Sequence, residues 1–503
     1  MGVFNSTVSE NQAGHTTPAN DPGTGGGVHL GIFPHENEEA LDAHFQNSTI
    51  TGNNADSGGG IYAMVPDVNY PAARNRVWLT NSIASANQSH SSNDNNLFGS
   101  FDVNATVYNV IGSGNSIWSH SDTSRVMLPA SPDPLDDGTN ILTDAPLLSP
   151  LAWHGGPTKT HRLLLGSPAI DAGSNMLAVV PFTNMQTALT TDQRSVGFPR
   201  SWNTPGVDWV GRGPVDIGAY EIGLPKVIDV TVDGSTSFHD PYSFAEQKAT
   251  GSGEQVRTVP VGGADMFHIQ FSETMNPATF AVSDLEVIGL KTATKPVPVS
   301  SGFSVNSTAD VATWTFSDWS LGDNYLLSLA QYGQALDGEW VNPKSLSAVN
   351  SSGNISTFPS GDNVAGGQFD FVTTLLPGDA DLNGVVDVAD LGTLSEHYNQ
   401  HNMSMDAVFS QADFTGDGVV DVADLGELGT NWQVNLQQIW ILADLGPNPD
   451  DRVDAADDAI LQSNYGMTNP TREDGDLDAD GDVDGDDLLI LQQMMGIDLD
   501  LAV

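Results

Sequence analysis

The spacing of apolar and polar positions changes twice along this chain. Over residues 1–223 no helical period appears. Short β-branched segments alternate with Asn and Gly instead, and one unit recurs at residues 5–11 (Asn-Ser-Thr-Val-Ser-Glu-Asn), 47–53 and 81–87. Glycine runs ending in a β-branched residue follow the first two, at Gly25-Gly26-Gly27-Val28 and Gly58-Gly59-Gly60-Ile61. Repeated strand-sized segments without helices predict a solenoid of short strands. Asn tolerates left-handed backbone and can stack in ladders at the corners, and Gly lets a turn pass without a Cβ clash. The alternation Val77, Leu79, Asn81, Ile83 predicts one strand with a buried face. The units are unequally spaced, so loops must interrupt the coils.

Residues 224–376 read differently. Val227 to Val232, Met266 to Phe271, Val311 to Phe316 and Asn324 to Leu329 predict strands, separated by turn-rich stretches, and together suggest a β-sandwich. Past Pro377 the period lengthens again. Leu391, Leu394 and Tyr398, then Leu425, Leu428 and Trp432, fall at i, i+3 and i+7, which predicts one apolar face on each of two short helices.

What precedes those helices carries the chemistry. A twelve-residue calcium loop needs oxygen ligands at positions 1, 3, 5, 9 and 12, a carbonyl at 7 and Gly at 6. Asp379, Asp381, Asn383, Val385, Asp387 and Asp390 fill positions 1, 3, 5, 7, 9 and 12, with Gly384 at 6. Asp413, Thr415, Asp417, Val419, Asp421 and Asp424 repeat the set around Gly418, with a hydroxyl at position 3. Asp476, Asp478, Asp480, Asp482, Asp484 and Asp487 repeat it around Gly481. A further copy is degenerate: Asn448, Asp450, Asp454 and Asp457 fit positions 3, 5, 9 and 12, but Gly446 falls at 1 and Asp451 at 6. A merely solvated acidic tail has no reason to repeat Gly at position 6, or an apolar stripe after position 12. The expected cofactor is Ca2+.

Charge sharpens this picture. The chain has 64 acidic residues against 16 basic ones, a formal net charge of -48. Residues 378–503 alone hold 28 of the acids and only two bases, Arg452 and Arg472. Phosphate backbones and anionic lipid are therefore poor partners, so no nucleic acid is expected. There is no cysteine, which excludes disulfides and thiolate chemistry. No apolar run is long enough for a transmembrane segment. No signal peptide is visible; the first residues read as the middle of a repeat, so a leader and more solenoid are expected upstream of Met1.

Three resemblances follow from these residues. Residues 1–223 resemble the C-terminal part of right-handed parallel β-helix surface proteins with polymorphic-outer-membrane-protein-type repeats. The closing motifs are Leu151 to His161, the Gly166-Ser167-Pro168-Ala169-Ile170-Asp171-Ala172-Gly173 stretch, Thr191 to Arg194, and Asp216 to Glu221. Residues 224–376, through Phe271 to Pro277, resemble bacterial Ig-like domains. The loops, with Asp at position 12, resemble type I dockerins and their EF-hand relatives, as one pair at 377–437 and a more divergent pair at 438–503. The implied class is mainly β (β-helix plus Ig-like sandwich) with a C-terminal α-helical calcium-binding region.

The implied function is that of a secreted or cell-surface structural or adhesive protein. Its partner would be a cohesin-like protein or another cell-surface component. In dockerins, loop positions 10 and 11 carry much of the recognition, often as Ser-Thr. Here they are Val388-Ala389 and Val422-Ala423. The alternative is a polysaccharide-degrading enzyme of β-helix type, with polysaccharide as partner and Asp171, Asp192, Arg194, Asp216 and Glu221 as candidate acid, base or electrostatic groups. Turn and cap roles are the stronger expectation for those five. His154 and His161 flank a Gly-Gly-Pro turn and read as surface or packing residues rather than metal ligands. No phosphate-binding or dinucleotide motif is present.

Overall fold

A computed structural model of the chain describes residues 2–13, 24–30, 42–63, 76–90, 95–119, 133, 135–180, 187–200, 215–234, 241–245, 257–317, 322–329, 336–338, 340, 358–361, 368–400, 409–437, 441–446 and 450–499. It is mainly β, with four α-helices among the described residues. The contacts divide it into two units, Met1–Gly223 and Leu224–Val503.

In the first unit each pass of the chain lays one short strand into each of several sheets. The longest ladder runs Thr7–Ser9, Thr49–Thr51, Ile83–Ala84, Val110–Ile111, Ile141–Leu142, parallel throughout. Other ladders join Gly2–Phe4, Asp42–Gln46 and Arg76–Thr80, and Val28–Leu30, Ile61–Ala63, Leu97–Phe101 and Ser116–Ser119. Ile50, Ile61, Leu79, Leu97 and Ile111 point into a shared core. Asn5, Asn47 and Asn81 turn the corners at φ of 49°, 49° and 47°, the left-handed region that Asn tolerates.

A second set of asparagines links the passes side by side. Asn11 Nδ2 donates to Asn53 Oδ1 at 2.9 Å, Asn53 Nδ2 to Asn87 Oδ1 at 2.9 Å, and Asn87 Nδ2 to Asn96 Oδ1 at 3.0 Å. Glycine is needed where this ladder crowds the backbone: a Cβ on Gly59 would meet the Gln88 carbonyl oxygen at 2.1 Å.

One expectation fails here. Val77, Leu79, Asn81 and Ile83 do not share a strand. Arg76–Thr80 and Ile83–Ala84 belong to different sheets, and the left-handed Asn81 between them turns the chain. All four are buried, so the alternation records burial on both sides of a corner. The repeat also continues where its wording fades, at Asn109 and Asn140, with Asn109 Nδ2 donating to Asn140 Oδ1 at 2.9 Å.

The second unit begins with two antiparallel sheets. One is built on Val227–Asp233, Met266–Phe271 and Val311–Ser317, flanked by shorter strands. The other holds Leu285–Gly289, Asp323–Leu329 and Phe369–Leu375. Between them lies a core that includes Val230, Phe267, Trp314, Leu327, Trp340 and Phe371. The four strands expected from sequence are present; Leu285–Gly289 and Phe369–Leu375 are additional. The three-stranded sheet is buried on both faces. Its outward Ile288, Leu326 and Val372 join Ile441, Leu445, Val453, Leu461, Val483 and Leu491 of the C-terminal segment in one cluster. That double burial leaves these strands, such as Asp323–Leu329, without a clean alternation of apolar and polar positions.

Candidate metal centres

Four short helices close the chain: α1 (Val388–His397), α2 (Val422–Thr430), α3 (Ala455–Asn464) and α4 (Gly485–Met494). Each starts the same way. An Asp at N-cap accepts a backbone N–H from inside the first turn: Asp387 from Ala389 at 2.7 Å, Asp421 from Ala423 at 2.7 Å, Asp454 from Ala456 at 2.6 Å, Asp484 from Asp486 at 2.8 Å. Three residues on, Asp390, Asp424, Asp457 and Asp487 accept the N-cap N–H in return, at 2.7–2.8 Å. This reciprocal capping supplies donors that a helix end otherwise lacks. It also fixes the carboxylates of loop positions 9 and 12.

The second oxygen of each position-12 Asp reaches the start of the loop. It accepts from Ala380 N at 2.8 Å, Thr415 N at 3.0 Å, Leu445 N at 2.7 Å and Leu477 N at 2.6 Å. Position 1 is folded over the loop's glycine: Asp379 Oδ2 accepts from Gly384 N, and Asp413 Oδ2 from Gly418 N, both at 2.8 Å. Gly384, Gly418 and Gly481 adopt φ of 82°, 84° and 97°, which only glycine enters freely. Position 5 is held by the N–H of position 7. Asn383 accepts from Val385 at 2.8 Å, Asp417 from Val419 at 2.9 Å, and Asp480 from Asp482 at 3.1 Å. Asp381 and Asp478 at position 3 are exposed and accept from Asn383 N and Asp480 N.

In two of the three expected sets the carboxylates converge. Carboxylate oxygens of Asp379, Asp381 and Asp390 all lie within 4.8 Å of one another, as do those of Asp476, Asp478 and Asp487. Asp476 Oδ1 is buried and accepts no hydrogen bond from any described residue. An orphaned buried oxygen beside converging carboxylates fits a hard cation that takes six to eight oxygen ligands. In the second loop Thr415 Oγ1 donates to Asp424 Oδ1 at 3.1 Å, so its hydroxyl is engaged with a neighbouring ligand.

The degenerate loop is read wrongly from strict spacing. Gly446 is not its first residue; Asp444 is. Asp444 is buried, and its two oxygens accept from Asp450 N at 3.3 Å and Asp451 N at 2.8 Å. Asp451 takes the glycine's place at φ 63°. Two extra residues therefore separate the first and last carboxylates of this loop, and Asn448 lies outside the described residues. A signal was present: Asp444 is followed by Leu445, as Asp379, Asp413 and Asp476 are followed by Ala380, Phe414 and Leu477, all buried.

The loops pair crosswise. Val386 N donates to Val434 O at 3.1 Å behind α2, and Val420 N to Gln400 O at 3.1 Å behind α1. Val453 N to Ile497 O and Gly466 N to Val483 O, both 2.8 Å, repeat this for α3 and α4. The expected apolar stripes divide. Leu394 and Leu428 are buried, but Leu391, Tyr398, Leu425 and Trp432 are 37–43% exposed. With Asp390 and Asp424 occupying the inner face one turn earlier, a helix of this length has room inside for one leucine.

No family model matches the chain. No curated protein matches it either. Two solved structures bear a slight likeness to parts of it. One is the S-layer protein rSbsC(31-844), at 15% identity and a TM-score of 0.16, over 31% of this chain and 14% of that one. The other is the N-terminal part of the bacterial S-layer protein SbsC, at 17% identity and a TM-score of 0.15, over 22% of this chain and 21% of that one. The chain thus spans 14% and 21% of the structures it matches. Likenesses of that size are too slight to fix a fold.

The five groups considered for glycan chemistry sit elsewhere, in the first unit, each at most 3% exposed. Asp216 accepts from Asp171 N and Ile222 N, both at 2.7 Å. Asp192 accepts from Glu221 N at 2.9 Å and pairs with Arg194 at 2.8 Å. The Arg194 guanidinium lies 3.9 Å and 3.7 Å from the ring centres of Phe198 and Tyr220. These groups tie backbone segments together. His154 and His161 bond to Thr160 Oγ1 and the Ser149 carbonyl.

Electrostatics in the loops favours a cation. Burial pushes Asp379 and Asp413 up to about 6, against opposing hydrogen bonds from Thr258 and Gly384 in the first and from Gly418 and Gly416 in the second. Asp390 and Asp444 are raised by burial too, and Asp482 chiefly by the neighbouring Asp480. Without an ion, the native first pair holds protons that the unfolded chain has released. That part of its stability is complete below the ordinary Asp value of 3.8 and is lost as pH climbs through about 6. Ion binding runs the other way, because the ion displaces those protons. Calcium affinity should therefore rise with pH through about 6 and level off above it. Titrations at pH 5 and 7 should differ by about ten-fold or more per proton displaced; equal affinities would contradict the assignment.

Proposed function

We propose that this chain is an exported, calcium-binding structural or adhesive protein of the cell surface. Its first unit is read as a parallel β-helix, its two antiparallel sheets as an Ig-like sandwich, and its four helices as two dockerin-like pairs that hold Ca2+. The observation that carries the reading is the convergence of Asp379, Asp381 and Asp390, and of Asp476, Asp478 and Asp487, in loops that share one capping geometry. Calcium fits better than a softer ion because the ligands are all oxygens and there is no cysteine. When bound, it would neutralise the crowded carboxylates and lock the start of each helix.

The docking face proposed for a cohesin-like partner is the outer side of the first pair. Val388 and Val422 are 73% and 68% exposed, flanked by Leu391 and Leu425. Crosswise pairing relates the two halves by a pseudo-two-fold, so a partner could bind in either of two orientations. The valines cost desolvation in water and contribute only when covered. Calcium-loaded full-length chain should retain a surface partner from extracts of the native organism. Val388→Asp with Val422→Asp should abolish retention, and so should EDTA. A folded double variant that keeps every partner would remove this face from consideration.

A further inference from the structure

The first calcium loop is held from outside itself. Thr258 lies 121 residues upstream, beside the sheet that ends in Phe369–Leu375. It is buried, and its Oγ1 donates to Asp379 Oδ2 at 2.5 Å, the carboxylate of loop position 1. The same stretch touches the second loop. Gly263 N donates to Phe414 O at 3.2 Å. Gly262 packs so closely that a Cβ there would meet Gly416 N at 2.5 Å. Val259 N in turn donates to Thr374 O at 2.9 Å, five residues before Asp379. Residues 258–263 are thus bonded at one end to the strand that leads into the first loop, and they reach both loops of the first pair.

From this geometry we infer that Thr258 is a positioning residue for the first calcium site, and that residues 258–263 form a clasp through which the first pair and the sandwich respond to calcium together. The inference rests on the calcium reading above. The Thr258 hydroxyl and Gly384 N together take both lone pairs of Oδ2, which fixes the rotation of the carboxyl group and turns Oδ1, which accepts only from Asn383 N, toward an ion with one lone pair to spare. The remaining bonds to Asp379, from Asn383 N at 3.0 Å and Gly384 N at 2.8 Å, come from within the loop and form only once it has turned. Thr258 alone brings in the sandwich. In the second loop Asp413 has the corresponding bonds from Gly416 and Gly418, with no hydroxyl from the sandwich among the described contacts. The two loops of the pair are therefore unequal in how they sense the body they sit on.

Hydrogen exchange on the full chain across a calcium titration reads each loop separately. In the wild type, amides of 379–390 and of 258–263 should gain protection at one shared calcium midpoint. Thr258→Val, which keeps the shape and removes the hydroxyl, should move the 379–390 midpoint to about ten-fold higher calcium, as loss of a bond to a charged group implies. The midpoint of 476–487 should stay in place, and Thr258→Ser should restore the wild-type value. Asp379→Ala supplies the limit of a lost first ligand. A Thr258→Val midpoint equal to wild type overturns the inference while leaving the calcium reading intact. So does a clasp whose exchange ignores calcium, a wild-type measurement that decides the matter even where Thr258→Val fails to fold. Loops that gain no protection at any calcium concentration overturn both.

Discussion

Stripping calcium from the full chain with EDTA should remove much of its far-ultraviolet helix signal, and restoring calcium should return it. The four helices span nine or ten residues each, below the length at which a helix stands alone in water. Each is capped by a loop Asp, and before the first and fourth helices the loop carboxylates converge. At neutral pH the ionised carboxylates of an ion-free loop repel one another, and burial, which pushes Asp379 and Asp413 up to about 6, adds to the cost of their charge. A divalent ion turns that repulsion into attraction, so binding and ordering are one event. The largest loss should fall in 379–437, whose own core is the small cluster around Val386, Leu394, Phe414, Val420 and Leu428. Asp379→Ala with Asp390→Ala should reproduce the effect locally, since both end ligands of one loop go at once. Superimposable circular dichroism spectra with and without calcium would rule the centres out.

Leu326→Ala should destabilise the second unit by about 2–5 kcal/mol, the usual range for a leucine removed from a close-packed core. The informative part is where the loss appears. Leu326 is 4% exposed and faces outward from the three-stranded sheet, against Ile441, Leu445 and Leu461. A sandwich independent of its C-terminal segment would expose that face to water and feel little. The observed packing predicts that the sandwich and the α3–α4 pair lose stability together, as one cooperative transition in calorimetry. Backbone continuity supports this, with Leu442 N donating to Leu290 O at 2.7 Å. Two transitions, neither of them shifted by the substitution, would show that the seam contributes nothing.

The loop geometry was legible because the constraint on it is local. A loop that must turn at position 6 and present oxygens at fixed offsets leaves Gly and Asp where the turn needs them, and the structure places Asp379 to Asp390 accordingly. Asp444 escaped because an insertion breaks the offset while the contacts survive; Leu445 beside it was the better guide. The strands of the six-stranded sheet showed as alternation because one side of each meets the core. Phe369–Leu375 was less visible, since a strand buried on both faces has no period to read. Thr258 could not be read at all. Nothing in its neighbourhood marks a threonine that meets a carboxylate 121 residues away, and only the fold makes the two adjacent.

The asparagine rungs of the first unit have an evolutionary consequence. Successive strands of the longest ladder, which these side chains help to align, are 42, 34, 27 and 31 residues apart in sequence. In space, each is one strand separation from the next, about 4.8 Å. Extension along the stack is therefore decoupled from chain length: a turn of 27 residues adds as much as one of 42. Insertions and deletions between strands leave the rungs in register, because side-chain amide and backbone bonds at the rungs set the alignment. The intervening segments can change in length while the length of the stack stays constant.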